Sequence, residues 1–213
     1  MNYQVLLTEM LTATLMSLRI FFSTLLFALP LGMLVALGRM SSWKVINLPV
    51  RLYILVMRGT PLMLQLLFIF YALKPIFNIQ LDRVVAAQVA FALNYAAYFA
   101  EIYRGGLEGI PAGQHEAAKV LGYSRQQTFF RIVLPQVMKR IIPPMGNEFI
   151  TLVKDTSLAQ VIGVVELLRV TERWVSSAVD MTPFAVAALF YLVMNGIVTR
   201  CFTLAERRLG YYR

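Results

Sequence analysis

The chain has 213 residues, 59% of them hydrophobic and 15% charged, with a mean hydropathy of +0.66. A water-soluble domain of this length carries roughly a quarter charged residues, so the composition excludes an ordinary soluble protein and requires lipid around the chain. The formal charge of +9 is no nucleic-acid footprint, because Lys and Arg fall between the apolar runs and not along one face; no nucleic-acid partner is expected.

A helix needs about 20 mostly apolar residues to cross a bilayer core. Ile20 to Gly38 is free of charges, and a first span is predicted over about 11–38 if Arg19 reaches the outer headgroups. The second, about 50–77, is interrupted by Arg58 and Gly59-Thr60-Pro61. Val84 to Ala100 extends to a third over 83–103. The fourth, about 141–165, contains Pro143-Pro144, Glu148 and Lys154-Asp155, and is predicted to break at the prolines. Phe184 to Thr199 lies in a fifth, about 182–204. The expected fold is all-α: one membrane domain over 1–213 with five transmembrane helices. Five helices are too thin to enclose a polar pathway, so a dimer is expected.

Positive residues set the orientation. Arg39, Lys44, Arg51 and Arg58 follow the first span. Arg104, Lys119, Arg125, Arg131, Lys139 and Arg140 follow the third, and Arg200, Arg207, Arg208 and Arg213 follow the fifth. On the other side Lys74, Arg83, Lys154, Arg169 and Arg173 are interleaved with Asp82, Asp155, Glu166, Glu172 and Asp180. The N-terminus is therefore expected outside and the C-terminus in the cytoplasm. Residues 1–10 hold no Lys or Arg, so no secretory signal is expected. The single Cys201 makes no intrachain disulfide.

Residues 104–135 form a long segment between the third and fourth spans. Glu116 to Leu121 is a run of good helix formers that Gly122 stops, after breaks at Pro111 and Gly113. A short amphipathic helix is thus predicted on the cytoplasmic surface, and an insertion carrying its own helix is usually functional.

The string Glu116-Ala117-Ala118, three residues, Gly122, nine residues, Ile132-Val133-Leu134-Pro135 resembles the EAA motif of bacterial ATP-binding cassette (ABC) importer permeases of type I. Arg58-Gly59-Thr60-Pro61-Leu62, Asn94 to Tyr98 with Glu101 to Gly106, and Asn147 to Ile150 with Lys154 to Leu158 look like the polar amino-acid branch. The resemblance covers roughly residues 10–205. It implies a permease subunit that provides the pathway, with Glu116, Ala117, Ala118, Leu121 and Gly122 docking a coupling helix onto a separate ATPase dimer. It also implies a second permease subunit, identical or paralogous, and an extracytoplasmic amino-acid-binding protein. ATP and Mg would be bound by the ATPase, leaving no cofactor in this chain, and the location would be the bacterial inner membrane.

Ionisable groups at bilayer depth are costly and mark pathways or interhelical pairs. Glu148 and Asp155 are seven apart, near one helix face. Arg58, Thr60, Asn94, Glu148, Asp155 and Ser157 are the candidate pathway residues. Arg58 suits a carboxylate or marks a helix end; Asn94 suits the pathway or interhelical hydrogen bonding; Lys154 and Asp155 could satisfy each other. His115 is the only histidine, no zinc set can be assembled, and no phosphate-cradling loop appears. No catalytic residue or metal ligand is assigned. The rival reading is an ion-driven secondary carrier using Glu148 or Asp155 as a proton site, which leaves the docking segment unexplained.

Overall fold

The computed structural model describes residues 2–210, and all regular structure among them is helical. Arg213, counted in the basic tail, lies outside the described residues. Helix α1 (Tyr3–Arg39) starts well before the expected Leu11, because Asn2 caps it: its Oδ1 accepts from the Gln4 and Val5 N–H groups. At 1.5 Å per residue α1 is roughly 55 Å long and overshoots a bilayer core of about 30 Å.

The central helix is α5 (Arg83–Glu108), which opens on an Asp82 cap and buries Ala86, Ala87, Ala90, Ala96, Ala97 and Ala100. Small side chains let helices approach closely in lipid, where packing replaces the hydrophobic effect. Gly32 of α1 meets this row so closely that a Cβ there would lie 2.9 Å from Phe99 Cβ and 3.0 Å from the Ala96 carbonyl oxygen.

The second apolar run is no single straight helix. Helices α2 (Lys44–Gly59) and α3 (Leu62–Tyr71) meet at 108°. Thr60, preceding Pro61, is driven into extended backbone (φ −122°, ψ 148°), which ends α2, and Pro61 then opens α3. The short α4 (Leu73–Phe77) completes the run. After α5 come α6 (Ala112–Val120) and α7 (Arg125–Thr128), then a π-helical turn (Phe129–Val133) feeding α8 (Leu134–Asp155).

Contrary to expectation, α8 passes through Pro143-Pro144 unbroken. The prolines remove two N–H donors, but Val137, Ile141, Met145 and Gly146 on either side are buried. Gly146 lies against Phe202 of α10 (Thr182–Leu209), where a Cβ would be 3.0 Å from the ring. The α-helix ends instead at Asp155, where it tightens into a 3₁₀ turn (Thr156–Ile162) that Gly163 closes at φ +83°. Next comes an unanticipated helix, α9 (Leu167–Ala178), nucleated by the Glu166 carboxylate, which accepts the Leu168 and Arg169 N–H groups at 2.9 and 2.7 Å.

Among the described residues, α1, α5 and α10 are each long and apolar enough to cross a membrane, and the bent α2–α3 pair makes a fourth if counted as one span. The main core joins α1, α3, α5, α8 and the 3₁₀ turn. A smaller one packs Leu6, Met10 and Ala13 of α1 against Leu167 and Val170 of α9 and Ala187 of α10.

Candidate functional site

Two regions concentrate the candidate residues. The first is α6, which starts at Ala112, earlier than the expected Glu116, and ends as the glycine predicts. The Tyr123 N–H reaches the Ala118 carbonyl at 3.0 Å and the Gly122 N–H that of Lys119 at 3.1 Å, while Gly122 sits at φ +76°. This is the left-handed closure that a Cβ penalises. Ala118 is the one buried residue of the helix. Glu116, Ala117 and Gly122 face outward, and Val120 and Leu121 are 87% and 73% exposed. Directly after the helix, Ser124 and Gln127 form a reciprocal capping box that restarts the chain. The segment thus presents an apolar tip with a fixed exit turn.

The second region lies where α2, α5 and α8 converge. An open cavity of about 530 Å³ is lined by Arg58, Tyr98, Glu101, Arg140, Pro144 and Glu148, among others. The Arg58 guanidinium lies 5.2 Å above the centre of the Tyr98 ring, with Nη1 3.8 Å from Glu101 Oε2. Glu101 is the acceptor for three helices: it takes Arg104 Nη2 at 2.6 Å and lies 3.9 Å from Arg39 Nε.

The structure therefore brings Arg58 and Glu148 to one cavity and leaves the other candidates elsewhere. Thr60 and Asn94 are both tied to Gln65. Asn94 Nδ2 donates to the Met57 carbonyl at 2.9 Å and to Gln65 Oε1 at 3.0 Å. Gln65 Nε2 donates to Thr60 Oγ1 at 2.9 Å and to the Met57 carbonyl at 3.0 Å. Asp155 accepts the Tyr95 hydroxyl at 2.8 Å. Lys154 is exposed and makes no ion pair among the described residues, so the anticipated Lys154–Asp155 pairing gives way to Tyr95. Ser157 donates to the Lys154 carbonyl and Thr156 to that of Val153, the usual way hydroxyls are satisfied in apolar helices.

Glu101 and Tyr98 stand in the motifs quoted from the sequence but were not among the pathway candidates, and Gln65 was in neither set. Glu101 had a signal: it is the one acidic residue closing an otherwise charge-free run, three residues before an arginine. Tyr98 had its place in the Asn94–Tyr98 motif, and Gln65 had no signal, since its partners come from the α2 end and from α5.

Residues 28–211 match the family described as binding-protein-dependent transport system inner membrane component. The L-cystine transport system permease protein TcyB of Bacillus subtilis is 39% identical over 189 residues, covering 88% of this chain and 80% of that protein. The glutamine transport system permease protein GlnP of Escherichia coli is 36% identical over 185 residues, covering 85% and 84%. The crystal structure of an amino acid ABC transporter with histidines superposes with a TM-score of 0.86 at 35% identity, over 94% of both chains. An inward-facing methionine ABC transporter, at 17% identity and TM-score 0.72 over 97% of both, shares the fold. None of these relatives is an ion-driven carrier or an enzyme by its description. By these matches, over a fold and a polar cavity already described, the chain belongs to the binding-protein-dependent transport system inner membrane components, as an amino-acid ABC importer permease of the type I fold.

Proposed function

We propose that this permease forms half of a pathway for a small amino acid and passes ATPase motion to it through α6. The observation that carries the coupling role is the exposed apolar tip of α6, Val120 and Leu121, held out on a rigid turn at Gly122. Glu116, Ala117 and Ala118 lie on the same short helix. An ATPase subunit on that tip would bury it, and tilting α6 would pull on α5 and α8, to which it is joined at both ends. The working complex pairs this chain with an identical or paralogous permease, two ATPase subunits that bind ATP and Mg, and an external binding protein. The N-terminus lies outside and the C-terminus inside. α8 together with its 3₁₀ turn supplies the crossing beyond α1, α2–α3, α5 and α10.

For the cargo, Arg58 and Glu148 share a cavity and carry opposite charge, which suits the carboxylate and ammonium of a zwitterion. Asp155, on the Tyr95 hydroxyl two turns along α8, and Ser157 continue a polar line. Thr60 and Asn94 serve this pathway indirectly, by setting the α2–α3 corner beside Arg58.

The test is co-purification followed by uptake. Glu116→Lys and Gly122→Pro are each expected to abolish transport and ATPase co-purification while membrane insertion stays intact. Normal uptake by both would remove the docking role. A lone permease that transports under a proton gradient would overturn the importer reading.

A further inference from the structure

Helix α2 is held by the apolar packing of Ile54, with Val50, Tyr53 and Met57 beside it, and by polar contacts to α5. Ile54 is its one buried residue. The Tyr53 hydroxyl donates to the Leu93 carbonyl at 2.5 Å, and Asn94 reaches the Met57 carbonyl. Beyond these, Arg58 lies over Tyr98 and faces Glu101. At that end the helix stops at a 108° corner through Gly59-Thr60-Pro61, and nothing lies within 4 Å of where a Gly59 Cβ would be.

Arg58, Tyr98 and Glu101 stand between two cavities. One is the 530 Å³ space reaching Arg140 and Glu148. The other, about 570 Å³, reaches Arg39, Arg51 and Gly59. These three side chains are common to both walls, so displacing Arg58 would join the spaces.

The charges around Glu101 are unequal. Arg104, on its own helix, takes the short bonds; Arg39 of α1 and Arg58 of α2 are left at 3.9 and 3.8 Å. Arg58 is 44% exposed, and an ion pair of that kind is worth only about 0–1 kcal/mol. Such a contact contributes little to holding the fold, which suits one that must break in every cycle. Glu101 is fixed by Arg104 at 2.6 Å, whereas Arg58 is partly exposed and only 3.8 Å away.

We propose that Arg58 and Glu101, backed by Tyr98, form a gate between the two cavities, with Glu101 the fixed post and the Arg58 side chain, at the end of α2, the moving leaf. This rests on the reading of the chain as a transport pathway. Glu101 acts through Arg58 and is a positioning residue. A substrate carboxylate arriving at Arg58 competes with Glu101 and so favours release.

The experiment uses the complete complex with its ATPase and binding protein in proteoliposomes, with radiolabelled L-glutamine, L-cystine and L-arginine as probes in turn. Glu101→Gln and Arg58→Gln are each expected to raise ATP-independent efflux about tenfold, and the double variant no further, since both remove one contact. Arg58→Gln alters a half-exposed side chain, so its result stands even if Glu101→Gln folds poorly. Tight single variants, or additive leaks in the double, would overturn the gate. Wild-type vesicles that import none of the three probes under ATP would instead count against the amino-acid reading, whatever the leak assay shows.

Discussion

Adjacent glycines on α5 show how much one residue's direction matters. A Cβ on Gly106 would overlap Ile141 Cγ2 of α8, whereas one on Gly105 meets nothing within 4 Å. Gly106→Ala is expected to cost about 1–3 kcal/mol through overpacking, and Gly105→Ala to be neutral or to gain about 0.5–1 kcal/mol from helix propensity. Thermal unfolding of the two variants in the same detergent checks this, and equal midpoints would contradict it. At Gly122 the cause is the backbone. Its φ of +76° makes Gly122→Ala cost about 1–2 kcal/mol, expected as weaker ATPase co-purification with unchanged membrane yield. Gly122 was legible because it follows a run of helix formers. Gly106 was not, because the side chain it avoids belongs to another helix.

Among the elements, the α2–α3 corner and α8 divide what patterning can and cannot reveal. Gly59-Thr60-Pro61 announces a break, since the residue before a proline leaves the helical region. The 108° angle is set by tertiary contacts: Gln65 and Asn94 tie the Met57 carbonyl and Thr60 together across the corner. Asn94→Leu would leave Gln65 Oε1 without its donor at a buried position, while the Met57 carbonyl keeps only Gln65 Nε2. It is expected to destabilise the protein by about 1–3 kcal/mol, read as a lower midpoint than Thr60→Val, which removes one exposed hydroxyl. In α8 the same logic misleads, because Pro143-Pro144 reads as a break and the buried residues around it hold the helix together. α9 was missed because its nucleating cap, Glu166, reads as one more loop carboxylate.

The whole molecule is unfinished as a single chain. α10 buries only Pro183 and Ala187 among the described residues, while Leu189, Leu192, Val193 and Ile197 are more than half exposed. A helix apolar on most sides needs lipid or another helix around it. The complex is expected to contain two permease chains, each of 24.1 kDa if identical, with two ATPase subunits. Native mass spectrometry from mild detergent counts them, and one permease per ATPase pair would contradict the pathway proposed here.

Composition and charge placement were enough to establish a lipid-embedded all-helical chain, and the ordered motifs its family, because hydropathy and local spacing are properties of the chain alone. The Gly122 stop was legible for the same reason. The convergence of Arg58, Tyr98, Glu101 and Glu148 was decided only in three dimensions. Those residues come from α2, α5 and α8, and each local pattern is compatible with several directions of its helix. The close packing of α1 against the alanine row of α5, and the turn at Pro61, select one direction and bring the charges together.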